Sequence, residues 1–204
     1  DDTPAQVTNI EQSIATKPAG LIIPALQPDA VGPAIDKAVA AGIPVVTIDT
    51  DAPASLRATY CGTDNYQAGR AMGAEIVKQL GGKGKIGLAT VPGQFNLEER
   101  IRGIKAVIAG TGVEIVDTVN NQADDAKCAD VVTAMLQGNP DIALVSTINA
   151  TGAGIAAALK QTNKGGQVKA VVFDITDPIL AAIEEGTISS TMVQRTYMMA
   201  YEAV

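Results

Sequence analysis

Two carboxylates, Asp49 and Asp51, directly follow an apolar stretch of the chain. The preceding residues 44–48 read PVVTI, a mostly β-branched run that is typical of a strand buried on both faces. Carboxylates in such a place can accept hydrogen bonds from hydroxyl groups, hold a metal ion or attack a phosphoryl group. The question is therefore what the rest of the chain places beside the end of this strand.

The composition excludes several kinds of chemistry and of partner. The chain has 204 residues, 47% of them hydrophobic and 3% aromatic, with a net charge of −7. Its length is enough to bury a substantial core, whereas its acidity disfavours nucleic acid and anionic membranes as partners. The chain contains no histidine, which removes histidine-based catalysis and histidine zinc sites. We expect no cofactor, no metal ion and no membrane-spanning segment.

The two cysteines, Cys61 and Cys128, lack the spacing of a metal site. We expect both to behave as small buried hydrophobic residues. A disulfide between them stays open at this point, because the sequence gives no distance between their side chains.

Helix-like and strand-like segments alternate along the chain. Helical periodicity predicts helices over residues 4–16, 29–41, 65–80, 97–109, 124–137, 151–162 and 177–185. Apolar runs predict strands over residues 21–24, 44–48, 85–90, 113–119, 141–146, 168–173 and 188–193. This alternation indicates an α/β fold with parallel, helix-covered sheets. In such folds ligands bind at the carboxyl ends of the strands, which is where Asp49 and Asp51 lie.

Polar residues follow the other predicted strands as well. Asn96 and Arg100, with the aromatic Phe95 before them, come after one strand, Asn149 after another and Asp174 after a third. Each also has a structural explanation, because loops are polar and Asp and Asn favour turns and helix caps. Since parallel strands end at the same edge of a sheet, the set as a whole predicts a binding site.

Six segments, in this order, resemble the ribose-type periplasmic sugar-binding proteins of bacterial ABC importers, and the related effector-binding cores of LacI-type repressors. They are AGIPVVTIDTDAP (41–53), YCGTDNYQAGRAMG (60–73), NLEERIRGIKAV (96–107), NPDIALVSTINATGAGIAAAL (139–159), VVFDITDP (171–178) and GTISSTMVQ (186–194). The resemblance implies the type I periplasmic binding fold, in which two Rossmann-like α/β lobes with parallel sheets close by hinge motion around one small ligand.

The same resemblance implies bounds for the two lobes. The first comprises residues 1–60 and 192–204, the second residues 61–191, and hinge crossings lie near 58–63 and 189–194. Members of this family carry a further strand–helix–strand before the matching segment and a further helix and crossing after it. We therefore expect the chain to be truncated at both ends relative to them, with its signal peptide not included. The implied protein is a periplasmic or extracytoplasmic monomer that docks transiently on a membrane ABC permease.

The family's binding residues can be carried over position by position. Asp49 matches an aspartate that accepts hydrogen bonds from sugar hydroxyls, and Thr50 stands where ribose binders have an arginine. Arg100 matches a ligand-binding arginine of the second lobe, Asn149 lies near the family's binding asparagine, and Gln194 matches a glutamine near a hinge. The complete set of predicted ligand-binding residues is Asp49, Thr50, Asp51, Phe95, Asn96, Arg100, Asn149, Phe173, Asp174 and Gln194.

One departure from the family concerns aromatic rings. The position where ribose binders stack a ring from the second lobe falls at Ala123 or Asp124 in this chain. Phe95 is a candidate to supply a ring instead, and packing of Phe95 into the core is the alternative.

These residues imply binding without catalysis, by a solute-binding protein that captures a small sugar or polyol for an ABC importer and is not an enzyme. Two alternatives stay open. The same two-lobe module can serve as the sensing core of a LacI-type regulator or of an extracytoplasmic sensor. Alternatively, Asp49 and Asp51 form the D-x-D motif of a Mg²⁺-dependent phosphatase, although Pro53 stands where that motif has a threonine.

Overall fold

The chain folds into two units, and this computed structural model describes residues 2–204. The first unit comprises the described residues up to Asp64 together with Gly93–Asn96 and Arg195–Val204. The second comprises Asn65–Pro92 and Leu97–Gln194. Both contain parallel sheets and helices, so the α/β class predicted from the alternation is confirmed. The lobe bounds implied by the resemblance stay a prediction. They concern which segments move together about a hinge, whereas the two units are defined by their internal contacts.

The elements follow one another in alternation for most of the chain. In order they are α1 (Thr3–Ala15), β1 (Leu21–Ile23), α2 (Pro28–Ala40), β2 (Val45–Ile48), β3 (Thr59–Cys61), α3 (Asn65–Leu80), β4 (Lys83–Thr90), α4 (Phe95–Ile108), β5 (Gly112–Asn120), α5 (Asp125–Gly138), β6 (Ile142–Thr147), α6 (Gly152–Gln161), β7 (Lys169–Phe173), α7 (Asp177–Glu184), β8 (Ser190–Met192) and α8 (Thr196–Ala203). Relative to the helices and strands predicted from periodicity, the structure adds the short strand β3 and the final helix α8.

The first unit contains a three-stranded parallel sheet in the order β1-β2-β3. Its core is formed by apolar residues of α2 and of the strands, with Val31, Ile35 and Val45 fully buried. The helices α1 and α2 both have a proline in the first turn, where the missing N–H has no intrahelical partner in any case. The sheet thus positions the carboxyl end of β2, which carries Asp49.

The second unit contains a five-stranded parallel sheet in the order β5-β4-β6-β7-β8. Successive strand residues point to opposite faces, so Val171 and Phe173 pack with α3 and α4, whereas Val172 packs with α5, α6 and α7. The chain leaves β4 towards β5 on one side and returns to β6 on the other. This reversal of strand order makes the carboxyl ends of β4 and β6 the expected ligand crevice of the unit.

The helices α3 and α4 cross at backbone contact. A Cβ atom on Gly69 would lie 2.0 Å from the Arg100 carbonyl oxygen, and one on Gly103 would lie 2.2 Å from the Tyr66 carbonyl oxygen. Side chains larger than hydrogen therefore do not fit at either position. This crossing fixes where the start of α4 presents Arg100.

The two cysteines occupy different environments. Both are free thiols; Cys128 is fully buried in α5, whereas Cys61, at the end of β3, is half-buried. The expectation of a buried cysteine is therefore confirmed for Cys128 and wrong for Cys61, because β3 ends at the edge of a small three-stranded sheet. Among residues 2–204, no helix combines the length and the apolar character needed to cross a bilayer.

Candidate ligand-binding site

Asp49 lies one residue beyond β2, in an uncommon backbone conformation. Its φ of 61° is in the left-handed region, which aspartate tolerates better than most residues. Its N–H donates to the Cys61 carbonyl at 3.3 Å, and its own carbonyl accepts a hydrogen bond from the Tyr60 hydroxyl at 2.7 Å. The adjacent strand β3 therefore holds the backbone on which the carboxylate is mounted.

Asp174 has the equivalent place in the second unit, one residue beyond β7. Its φ is 67°, and its N–H donates to the Met192 carbonyl of β8 at 2.7 Å. The Thr191 hydroxyl donates to the Asp174 carbonyl at 2.5 Å. On the side chain, Asp174 Oδ1 accepts a hydrogen bond from Gln194 Nε2 at 2.7 Å. Both aspartates are thus held by the last two residues of the neighbouring strand.

Arg100 is the centre of a buried cluster in the second unit, with only 2% of its surface exposed. Its Nε donates to Asn65 Oδ1 at 2.8 Å, and its Nη1 donates to the Ile148 carbonyl at 2.9 Å. The guanidinium carbon lies 3.9 Å from the centre of the Phe173 ring, a cation–π arrangement. The contact with Ile148 ties α4 to the end of β6, at the reversal of strand order.

Gln194 joins this cluster to Asp174. Its side-chain oxygen accepts a hydrogen bond from Arg100 Nη2 at 3.0 Å, while its side-chain nitrogen donates to Asp174. The amide therefore serves both neighbours in the only orientation that satisfies a cation on one side and a carboxylate on the other. Four of the residues predicted from the sequence are brought together here, namely Arg100, Phe173, Asp174 and Gln194.

Asn149 lies in a separate hydrogen-bond network of the same unit. Its Oδ1 accepts from Asn121 Nδ2 at 2.9 Å and from the Thr151 hydroxyl at 2.8 Å. Its Nδ2 donates to Asn121 Oδ1 at 3.1 Å. Asn121 is fully buried one residue beyond β5, so two hydrogen bonds to a buried side chain hold the orientation of Asn149.

Asp51 is engaged by partners within the first unit. Arg57 binds both of its carboxylate oxygens, through Nε to Oδ1 and through Nη2 to Oδ2 at 2.6 Å. Oδ1 also accepts hydrogen bonds from the Thr47 hydroxyl and from the Ala52 N–H, each at 2.7 Å. Burial alone raises the pKa of this carboxyl, but the hydrogen bonds from Arg57 and Thr47 outweigh it, and the pKa lies below its ordinary value.

Three further predicted residues have distinct surroundings. Thr50 is fully buried beside Asp49, and Phe95 is half-buried at the first position of α4. Asn96 is also buried, and its Oδ1 atom accepts no hydrogen bond from any residue that the structure describes. An unpaired buried acceptor is costly, at about 1–3 kcal/mol, so this atom is a candidate to accept a hydrogen bond from a ligand.

The sequence reasoning missed the residues that support the site. Asn65, Tyr60 and Asn121 orient Arg100, Asp49 and Asn149 respectively, through hydrogen bonds to side chain or backbone. Each lies in a segment that reads as an ordinary helix start or strand end. Only the pairing of strands and the crossing of helices bring them to their partners.

A model of the periplasmic binding protein domain family matches residues 1–204. The chain belongs to this family. Among relatives of this periplasmic binding protein, the ribose import binding protein of Bacillus subtilis is 31% identical over 197 residues, which cover 96% of the chain and 64% of the relative. The chain thus spans somewhat less than two thirds of the length of that relative.

Solved structures agree with the family. The crystal structure of a glucose-galactose binding protein from Geobacillus stearothermophilus has a TM-score of 0.94 at 30% identity, and the match covers 97% of this chain and 72% of the other. An ABC transporter solute binding protein from Burkholderia graminis, in complex with D-arabinose, has a TM-score of 0.93 at 32% identity, covering 97% and 71%. The resemblance and the type I fold inferred from the sequence are therefore confirmed.

Proposed function

We propose that this periplasmic binding protein captures a small sugar or polyol for an ABC importer. The observation that carries the proposal is the cluster of Arg100, Phe173, Asp174 and Gln194 at the strand ends of the second unit. Its support from relatives is that one is named a ribose import binding protein and that another was crystallised with D-arabinose.

The chemistry of the cluster suits a polyol. The Asp174 carboxylate accepts hydrogen bonds from hydroxyl groups, whereas Arg100 donates to ring and hydroxyl oxygens in a planar arrangement. Charge-assisted hydrogen bonds of this kind contribute about 1.5–3 kcal/mol each. They also discriminate, because an analogue that lacks one hydroxyl loses a charge-assisted hydrogen bond that the sugar makes.

Asp49 and Asn96 extend the proposed set of ligand contacts. Asp49 presents a carboxylate from a backbone conformation that two hydrogen bonds maintain, and Asn96 Oδ1 is a buried acceptor. Asn149 is included as a donor, because its Oδ1 already accepts from Asn121 and Thr151 while its Nδ2 carries a second hydrogen. Direct ligand contact by Thr50, Asp51 and Phe95 stays a prediction from the sequence.

The surroundings of Asp51 argue against the phosphatase alternative. In that mechanism the second aspartate of the D-x-D motif must give and take a proton. Here Arg57 engages both of the Asp51 oxygens, and the pKa of the carboxyl lies below its ordinary value. A carboxyl in this state is a poor proton donor at neutral pH.

The remaining parts of the proposal concern the cellular setting. We propose that the protein is extracytoplasmic and monomeric, and that it docks transiently on the membrane permease of the importer. The localisation and the docking on a permease are supported by the import roles named for its relatives.

Calorimetric titration with D-ribose, D-arabinose, D-glucose, D-galactose and myo-inositol tests the proposal. We expect at least one of them to bind, and Arg100→Lys and Asp174→Asn each to weaken binding by about 10- to 100-fold, since each removes charge-assisted hydrogen bonds. Arg102→Lys, an exposed arginine on the same helix, is the matched control and should bind as the wild type does.

Two results would overturn the proposal. One is the absence of binding to every member of the panel, together with hydrolysis of p-nitrophenyl phosphate in the presence of Mg²⁺. The other is unchanged sugar affinity in both Arg100→Lys and Asp174→Asn, which would remove the cluster from the site.

A further inference from the structure

The hydroxyl of Tyr60 contacts the backbone of Asp49. It lies 2.7 Å from the Asp49 carbonyl oxygen and 3.1 Å from the Thr63 carbonyl oxygen. The approach depends on Gly62, because a Cβ atom there would lie 2.1 Å from the Tyr60 hydroxyl oxygen. The glycine leaves the space in which the tyrosine side chain folds back over the strand end.

A second tie spans the loop that follows Asp49. The bidentate ion pair between Asp51 and Arg57 closes this loop, and the Thr47 hydroxyl joins Asp51 to the strand β2 itself. Both partners are mostly buried, with 19% of the Arg57 side chain and 13% of the Asp51 side chain exposed. A bidentate pair with little exposure resists both salt screening and rotation. The loop therefore has little freedom to change the direction of Asp49.

We propose that Tyr60, Asp51 and Arg57 are positioning residues, which hold the Asp49 carboxylate in its binding orientation without contacting the sugar. This inference rests on the proposed function, in which Asp49 is a ligand contact. It assigns to Asp51 a role through Asp49 in place of a direct contact with the ligand.

The physical reason is the left-handed conformation of Asp49. A non-glycine residue in this region is strained and persists only when its surroundings hold it there. If the Tyr60 hydrogen bond or the ion pair is lost, the backbone relaxes towards the extended region and the carboxylate changes direction. Part of the free energy of ligand binding is then used to return the carboxylate to its binding orientation, so the affinity falls.

The second unit contains the same device, which is an independent observation. The Thr191 hydroxyl donates to the Asp174 carbonyl, and Asp174 also has a positive φ. Tyr60 and Thr191 each precede the last residue of the neighbouring strand. A tyrosine and a threonine at equivalent positions thus make the same hydrogen bond, from a hydroxyl to the carbonyl of the aspartate. The two strand ends share this hydrogen bond and not the type of side chain that makes it.

The test compares Tyr60→Phe and Arg57→Lys with wild type, by calorimetric titration of the chain with D-ribose and D-arabinose. Tyr60→Phe keeps the ring and removes only the hydroxyl, and Arg57→Lys keeps the charge and removes the bidentate geometry. We expect each variant to bind about five- to tenfold more weakly, the loss typical of one hydrogen bond. Tyr201→Phe, an exposed tyrosine of the same unit, is the matched control and should bind normally.

A double-mutant cycle with Asp49→Asn separates positioning from a general structural role. If Tyr60 acts through Asp49, then Tyr60→Phe should have little further effect on affinity in the Asp49→Asn background. An undiminished effect in that background would overturn the proposal, since a merely structural residue weakens binding whether or not the carboxylate is present.

Amide hydrogen exchange of residues 49–57 tests the positioning without any ligand. Exchange should be faster in Tyr60→Phe and in Arg57→Lys than in wild type, and unchanged in Tyr201→Phe. If wild type binds none of the sugars, the proposed function fails, but faster local exchange would still support the restraint on Asp49. Unchanged exchange in both variants would overturn the restraint itself, whatever the chain binds.

Discussion

Asp49 in the first unit and Asp174 in the second are held by the same backbone arrangement but have different side-chain surroundings. Each aspartate directly follows a parallel strand and has a positive φ. Each is also hydrogen-bonded to the last two residues of the strand beside it in the sheet. Beyond Asp49, a charged pair in a loop supplies rigidity. Beside Asp174, the neutral amide of Gln194 joins the aspartate to the buried Arg100, whose guanidinium also lies over the Phe173 ring.

The two strand ends are made rigid in different ways. No helix lies in the loop between β2 and β3. The ion pair between Asp51 and Arg57, which both belong to this loop, restrains it. In the second unit, Arg100 is placed by the close crossing of α3 and α4, which leaves its guanidinium to be held by neutral acceptors. Charge restrains the first strand end, whereas packing restrains the second.

The largest expected effect comes from disturbing the packing. In Gly69→Ala the new methyl group would meet the Arg100 backbone, so α3 and α4 must separate. We expect the free energy of unfolding to fall by about 3 kcal/mol, the upper part of the usual range for overpacking. Denaturation in urea measures it, with Gly138→Ala as the control, since nothing lies within 4 Å of a Cβ atom at that helical position.

The control should be neutral or slightly stabilising, because alanine favours helix more than glycine does. Wild-type stability in Gly69→Ala would mean that the crossing is not tight and that Arg100 is positioned by its hydrogen bonds alone. The contrast between the two strand ends would then disappear.

The second prediction compares the cysteines of the two units. Burial raises the pKa of the Cys128 thiol from 9.0 to about 11. At pH 8 its thiolate fraction is therefore roughly a hundredfold lower than that of an ordinary thiol, and access is restricted as well. Alkylation with iodoacetamide, followed by mass spectrometry, should modify the half-buried Cys61 of the first unit well before Cys128.

In denaturant both cysteines should react at similar rates, which serves as the control. Comparable rates in the folded protein would show that the packing of α5 opens readily. The second unit would then be no more rigid than the loop after β2.

The smallest expected effect is on acid stability. Because the Asp51 pKa is lowered on folding, its ionised form contributes stability that is fully present above the unfolded value of 3.8. That contribution is lost as the pH falls through the lower folded pKa. Between pH 6 and pH 2 we expect the free energy of unfolding to fall further in wild type than in Asp51→Asn, as measured by urea denaturation.

Asp141→Asn is the matched comparison, because Asp141 pairs with Lys85 at an exposed site of the second unit. Its acid sensitivity should not differ measurably from that of wild type, since water screens exposed pairs. Identical acid curves for wild type and Asp51→Asn would mean that the ion pair does not restrain the first strand end.

Much of the fold could be predicted because its signals are local. The seven helices and seven strands expected from periodicity all coincide with elements of the structure, with ends that differ by a few residues. Periodicity did not predict the short strand β3, since three residues carry too little pattern to stand out from a loop; only the resemblance pointed to a crossing near residues 58–63. The strand-end positions of Asp49 and Asp174 were predicted, because a polar residue that directly follows a buried strand is visible in the sequence, whereas their contact with a ligand stays a prediction.

The partners of those residues could not be predicted in the same way. The sequence places Asp51 beside Asp49 and so presents it as a second ligand group, but it does not reveal that Arg57 turns back to bind it. Likewise, Asn65 and Arg100 are 35 residues apart in sequence, and their hydrogen bond exists only because two helices cross.

By itself, the sequence determined the alternation of elements, the family and the residue types at the strand ends, because these depend on local patterning and on short motifs. Tertiary structure alone decided which carboxylate is paired within its own loop and which is joined to Arg100 through Gln194. The reason is physical, since a hydrogen bond or an ion pair requires atoms to meet within about 3 Å. Strand register and helix crossing bring atoms to that distance, and neither can be read from the order of residues.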